Sequence, residues 1–279
     1  MSVDEQLQRE AAGRRLAVAG AVLGGVLTLA GAAWAALGLR HQPKSGKHFD
    51  ADRLLYLHHH AAVVIGSAVV LGAGAVAIIF ALRYLYGATK HRRPELPPVA
   101  LYCAIAGPVL IFVSQLLSQV LVLNKAASFA AHHGATADDA ARNVLKSGGL
   151  QAVFGAGLAG QLALGFAFVM ISLNAMRVGL LTRFMGVLGI IVGVLFVIPI
   201  GSPVPVVQAF WLGALAYLLS GRWPNGVPPA WETGKAEPWP SAQEMRERAS
   251  GQASAEPEPE PVAATGPSRQ RKRKRKKRR

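Results

Sequence analysis

Four uncharged polar side chains stand out in an otherwise apolar stretch of the chain, namely Ser114, Gln115, Ser118 and Gln119. At positions i, i+1, i+4 and i+5 they cover one helical face of about 100°. Because this face has no good partners in lipid, we expect it to point into a helix bundle. Gln161, with Gly157 and Gly165 one turn to either side, is the expected partner of Gln115 on a later helix. The pattern indicates interhelical hydrogen bonding, with a pathway for a substrate or an ion as the alternative.

Histidine is the second residue type whose spacing suggests chemistry, here the binding of a metal ion. Seven of the eight histidines fall in or beside two polar stretches: His41, His48, His58, His59, His60, His132 and His133. Consecutive helical residues point in divergent directions, so a site would need one of His58–His60 to meet His132 or His133. Asp50 or Asp52 would complete such a site. We expect ordinary loop histidines at the outer end of the second span, with no metal and no cofactor.

The third cluster is a basic run at the C-terminus, where ten of the last eleven residues are Lys or Arg. It comprises Arg269 and, after Gln270, Arg271, Lys272, Arg273, Lys274, Arg275, Lys276, Lys277, Arg278 and Arg279. No aromatic residue is interleaved with these cations, unlike in a groove that binds single-stranded RNA. We therefore expect contact with anionic lipid headgroups. RNA or the ribosome is the alternative, and a membrane-protein partner stays open.

Conventional catalytic motifs are missing from the sequence. There is no GxSxG, HExxH, P-loop, paired CxxC or strand-linked GxGxxG pattern, and the single cysteine, Cys103, permits no intramolecular disulfide. The interiors of the apolar segments also lack ionisable residues, which ion-coupled transporters usually carry at membrane depth. The sequence therefore predicts a protein that is not an enzyme.

Long apolar segments must position all of these residues. The chain is 52% hydrophobic and only 16% charged, a balance typical of a multi-pass membrane protein. It predicts an all-α transmembrane bundle of about six spans, at residues 16–39, 61–82, 99–123, 150–176, 180–199 and 204–220. Residues 1–15 are predicted to be a polar N-terminus and 221–248 a Trp/Pro-rich juxtamembrane segment. Residues 249–279 are predicted to be a disordered tail.

The last two spans come from one uncharged stretch, Phe184–Ser220, which the prolines of Pro199–Pro205 interrupt. Two full spans or one re-entrant hairpin both fit, and both return the chain to its starting side. The part of this stretch before the prolines is short for a span, so we expect the span to include Gly179–Thr182 as well. In the loops, Asp50 is predicted to cap a short helix, and Thr136 with Asp139 has the spacing of a capping box.

Charge predicts the orientation of this bundle. With six spans the termini share a side, which carries eleven Lys or Arg up to residue 245 against seven on the opposite side. A polybasic tail is also favoured beside an anionic cytoplasmic leaflet. Both termini are therefore predicted to be cytoplasmic.

The segment Gly179–Glu247 resembles the C-terminal part of a family of uncharacterised bacterial multi-pass membrane proteins. The resemblance rests on the RFMGVLG sequence that begins at Arg183 and on the Trp/Pro-rich stretch around Trp223, Trp231 and Trp239. It implies a helical protein of the bacterial inner membrane and brings no activity with it. The basic tail is also similar to that of insertases that dock ribosomes, although their charged intramembrane residue has no counterpart here.

Overall fold

The structure is a computed structural model that describes residues 3–132, 137–198, 205–223 and 226–238, and these residues form α-helices without β-strands. The helices are α1 (Val3–Gly38), α2 (Phe49–His59), α3 (Ala61–Arg92), α4 (Val99–His132), α5 (Asp138–Leu145), α6 (Gly148–Arg177), α7 (Arg183–Val197), α8 (Val206–Leu219) and α9 (Ala230–Thr233). Four of them, α1, α3, α4 and α6, are long and apolar enough to cross a membrane. The apolar helices α7 and α8 have 15 and 14 residues. That is about 22 and 21 Å, against a hydrocarbon core of about 30 Å.

Six of these helices close a ring. Helix α1 packs on α3, α3 on α4, α4 on α6, α6 on α7, α7 on α8, and α8 returns to α1. The buried indole of Trp211 joins three of them, since its N–H donates to the carbonyl oxygen of Met185 at 2.9 Å and its ring meets Phe168 edge-on at 5.1 Å. The two short helices therefore complete the same bundle as the four long ones.

Glycines set the closest helix–helix contacts. A Cβ added to Gly20 of α1 would lie 2.8 Å from the carbonyl oxygen of Ala77 on α3. A Cβ added to Gly107 of α4 would lie 2.8 Å from the backbone nitrogen of Leu164 on α6. Between apolar helices in lipid, close packing of this kind replaces the hydrophobic effect as the source of association. These contacts therefore set how each helix is rotated in the ring.

The N-terminal residues differ from the prediction. Residues 1–15 were predicted to be a polar N-terminus that precedes the first span, but α1 begins at Val3 and runs without a break into the first apolar segment. Its first turns pack against the end of α3 and against the residues around α9. A Cβ on Gly234, just after α9, would lie 2.8 Å from the Val3 side chain. Tertiary contacts thus stabilise a helix that its polar composition does not predict.

The turn before α7 is also different. Gly179 has φ +79°, and a Cβ at this position would collide with the carbonyl oxygen of Glu237. Thr182 has extended backbone, and its hydroxyl accepts a hydrogen bond from the Met185 N–H at 3.2 Å, which caps α7. The expectation that the fifth span includes Gly179–Thr182 is therefore wrong. These residues form a turn before α7, and the chain near Glu237 packs against that turn.

The bundle has two ends, which we name by what they carry. The terminal end holds the start of α1, the end of α3 and α9, and the loop end holds α2 and α5. The proline-rich residues 199–204 and the tail from residue 239 lie outside the described residues, and so does the choice between two full spans and a re-entrant hairpin.

Candidate functional site

A cavity of about 180 Å³ lies between the six helices of the ring, and each helix contributes to its wall. Its polar wall residues are Thr28 of α1, Gln115 of α4 and Gln208 of α8. The other wall residues are glycine or apolar side chains, among them Leu164 and Phe196. We call this space the central cavity. It can hold about six water molecules at their share of liquid volume, or one small uncharged solute.

The polar face of α4 is only partly directed at this cavity. Ser114 and Ser118 are buried, and their hydroxyls donate to the carbonyl oxygens of Leu110 and Gln115 in the same helix. Gln115 and Gln119 are half-buried, and Gln115 is the one that lines the central cavity. The serine hydroxyls thus find their hydrogen-bond partners within α4, while the Gln115 amide remains available to a molecule in the cavity.

Gln161 does not pair with Gln115. It is exposed on α6, whereas Gly157, Gly160 and Leu164 face α4. The prediction placed Gln161 on the face of α6 that contacts α4, because Gln161 lies one turn from Gly157. The backbone approach between Gly107 and Gly160 rotates α6 so that Gln161 falls outside that contact.

Sequence reasoning missed the two polar residues that do share the cavity with Gln115. Gln208 is the one amide in the apolar helix α8, and a lone amide of that kind is a usable signal for an inward position. Thr28 offers a weaker signal, because its hydroxyl donates to the carbonyl oxygen of Gly24 in its own helix and threonine is common in membrane helices.

The terminal end contains a buried ion pair that the sequence did not predict. The guanidinium of Arg92 binds both carboxylate oxygens of Glu10, at 2.6 and 3.0 Å. The exposed fractions of the two side chains are 0% and 7%. Arg92 also donates to the carbonyl oxygens of Ala230 and Ala88, and Gln6 donates to the Glu10 carboxylate. Both charges are therefore surrounded by hydrogen-bonding partners from α1, α3 and α9.

Trp231 closes this cluster from the C-terminal segment. Its indole N–H donates to the carbonyl oxygen of Leu180 at 2.9 Å, and its ring stacks on Tyr84 with the planes 6° apart. The Arg92 guanidinium carbon lies 5.6 Å from the centre of the same ring, within cation–π range. We call Glu10, Tyr84, Arg92 and Trp231 the terminal clamp. The part of the Trp/Pro-rich segment around Trp231 thus packs against the bundle.

The loop end is held by a different set of charges. One carboxylate oxygen of Asp138 on α5 accepts from the backbone N–H groups of Asp50 and Ala51, so it caps α2 from another helix. Arg142 bridges Asp138 and Asp50. Its hydrogen bond to Asp50 and the nearby carboxylates raise the pKa of Arg142. The prediction that Asp50 itself caps α2 is wrong, and Thr136 of the predicted capping box lies outside the described residues.

The described histidines in α2, beside it and at the end of α4 lie at the loop end, whereas His91 lies in the last turn of α3 at the terminal end. His58 and His59 end α2, while His60 and His132 each place Nδ1 2.8 Å from a carbonyl oxygen one turn earlier in the chain. In the parts of the chain that the structure describes, no group of three His, Cys, Asp or Glu side chains is placed to hold a metal ion. His133 and the basic residues 269–279 lie outside those parts.

These features define the class of the protein as a helical bundle with four helices of membrane-spanning length and apolarity. Comparison of the chain with protein-family models, with curated proteins and with solved structures finds no match. The assignment to this class therefore rests on the helices themselves.

Proposed function

We propose that this chain is a multi-pass membrane protein that works as a non-catalytic structural or partner-binding component and anchors a polybasic tail at the membrane surface. The terminal clamp carries this proposal. It joins α1, α3 and the segment before the tail through a buried ion pair and a buried indole hydrogen bond. Farther along, the Glu237 N–H donates to the carbonyl oxygen of Val178, so the chain is held to the bundle nearly to its last described residue.

The proposed architecture has six spans with both termini in the cytoplasm of a bacterial inner membrane, as in the family that the C-terminal segment resembles. The positions of α7 and α8 in the ring support two full spans, since each packs on the other and on one long helix. Local thinning of the bilayer and snorkelling of Arg183, at the start of α7, compensate for the shortness of these helices.

The proposed partner of the tail is the anionic headgroup layer, reached through Arg271, Lys272, Arg273, Lys274, Arg275, Lys276, Lys277, Arg278 and Arg279. A cysteine placed by Ser268→Cys in a Cys103→Ala background tests on which side of the membrane the tail lies and whether the tail contacts lipid headgroups. It is expected to react with an impermeant thiol reagent only after the cells are permeabilised. A polarity-sensitive dye on this cysteine is expected to shift to the blue in nanodiscs that contain phosphatidylglycerol, and to lose the shift at high salt.

Two tail variants serve as the controls. Replacing residues 271–279 with glutamine is expected to abolish the dye shift, whereas exchanging every Lys for Arg and every Arg for Lys preserves it, because charge is unchanged. Reaction of the cysteine in intact cells would contradict the orientation. A dye shift that appears with added ribosomes and not with anionic lipid would contradict the lipid contact and favour the ribosome.

The central cavity favours a second candidate, a small transporter or channel-like protein for an uncharged polar solute. Every helix of the ring reaches this cavity, and Gln115 and Gln208 present amides to it from two different helices. An amide can donate and accept hydrogen bonds, so such a pair can replace part of the hydration shell of a polyol.

Replacing Gln115 with leucine separates the two candidates. A structural role predicts a change in the free energy of unfolding below about 1 kcal/mol and no change in solute passage. The measurement is glycerol uptake into proteoliposomes, with Gln161→Leu as the control because that amide is exposed on α6. Uptake above that of empty vesicles, lowered by Gln115→Leu and unaffected by Gln161→Leu, would establish the transport function instead.

A further inference from the structure

An open groove of about 390 Å³ runs between α1 and α3 at the terminal end, apart from the central cavity. Polar and charged residues line one part of it, namely Gln6, Arg9, Arg83 and His91. Apolar side chains line another part, among them Leu16, Phe80 and Leu101. We call this space the terminal groove.

The two kinds of lining are separated along the helices. On α1, Arg9 precedes Leu16 by seven residues, about 10 Å of helix. Helix α3 runs the opposite way, since Gly13 faces Tyr84 and Gly20 faces Phe80. The groove therefore passes from a mouth lined by Gln6, Arg9 and His91, past Arg83 at the level of Leu16, to Phe80 towards the middle of the bundle. That polarity matches a bilayer leaflet, in which headgroups lie outside the acyl chains.

The mouth of the groove has a net positive charge. The one carboxylate that lines it, Glu10, is already bound by Arg92 at 2.6 Å. Among the described residues, no carboxylate lies within ion-pair distance of Arg9 or Arg83. Two arginines that have no ion-pair partner among the described residues give the groove a positive lining, which attracts a phosphate group.

The groove is also open enough to admit a chain. Gly87 of α3 lines it, and a Cβ added to Gly87 would meet no atom of the described residues within 4 Å. Gly13, on the opposite wall, is covered by the Tyr84 ring, which lies 3.2 Å from its Cβ position. Bare backbone is therefore open to the groove at Gly87 of α3.

We propose that the terminal groove binds one anionic phospholipid. Its phosphate lies between Arg9 at the mouth and Arg83 farther in, and one acyl chain continues along Leu16 and Phe80. A free phosphate ester would use the charged mouth and leave the apolar part empty, whereas a zwitterionic lipid would bring a cation towards two arginines. This site is separate from the tail, so it stands whether or not the basic residues 271–279 contact lipid.

The test uses the full-length protein, purified in a neutral detergent with phosphatidylglycerol or phosphatidylcholine and examined by native mass spectrometry. We expect one retained phosphatidylglycerol per chain and no equivalent retention of phosphatidylcholine. The double variant Arg9→Gln/Arg83→Gln is expected to bind phosphatidylglycerol roughly twenty-five-fold more weakly, from about fivefold for each cation beside a headgroup. The double variant Arg15→Gln/Arg177→Gln is the matched control, because both of its arginines are exposed and neither lines the groove.

A steric variant tests access to the groove independently of charge. Gly87→Leu is expected to fill the groove and to lower phosphatidylglycerol retention, with the fold intact because the new side chain enters open space. Replacing residues 271–279 with glutamine is expected to leave retention unchanged. Equal retention in the groove variants and their control would overturn the proposal. So would loss of the lipid in the tail variant, or its full displacement by inorganic phosphate.

Discussion

Replacing Arg92 with methionine is expected to lower the free energy of unfolding by about 3–5 kcal/mol, because it leaves the Glu10 carboxylate buried without its counter-charge. The side chain of Glu10 is only 7% exposed, and Gln6 would remain as its one side-chain donor among the described residues. Arg92 also holds the carbonyl oxygen of Ala230, so the same change loosens α9. Unfolding of the purified protein in mixed micelles, followed by tryptophan fluorescence, measures the loss.

The cause of that loss can be isolated with two further variants. Adding Glu10→Gln to Arg92→Met is expected to restore most of the stability, since it removes the unpaired charge. Arg93→Met is the matched control, because its partner Glu95 is 82% exposed and such pairs are worth less than about 1 kcal/mol. If Arg92→Met cost no more than Arg93→Met, the ion pair would not be what holds the terminal clamp.

Replacing Gly165 with alanine is expected to destabilise the protein by about 1–3 kcal/mol, although alanine is normally the better helix former. A Cβ on Gly165 would lie 2.6 Å from the carbonyl oxygen of Gly193, and a Cβ on Gly193 would lie 2.6 Å from that of Gly165. Backbone atoms cannot rotate out of the way, so α6 and α7 must separate. The same micelle unfolding experiment reports the change.

Gly155 provides the control for that prediction on the same helix. A Cβ at Gly155 would meet nothing within 4 Å, so Gly155→Ala is expected to leave stability unchanged or raise it by up to about 1 kcal/mol. The two substitutions are chemically identical and differ only in what the added methyl group meets. A destabilisation of the same size at both positions would show that the close contact of α6 with α7 is not important for the fold.

The sequence by itself determined the helical class and the places of the long helices. The apolar segments at 61–82, 99–123 and 150–176 lie within α3, α4 and α6, and the first span lies within α1 apart from its last residue. This is predictable because a long apolar run can satisfy its backbone hydrogen bonds in lipid only as a helix. The cap of α2 could not be predicted from the neighbouring sequence, because Asp138 supplies it from 88 residues away.

Only the tertiary structure decided which faces of these helices meet. Gln161 and Gln208 are both amides within apolar helices, yet the first is exposed and the second lines the central cavity. Glu10 and Arg92 are 82 residues apart, and neither has a neighbour in sequence that marks it as buried. The physical reason is that backbone approach at pairs such as Gly107 and Gly160 sets the rotation of each helix. That rotation depends on the partner helix, so the periodicity of one segment does not contain it.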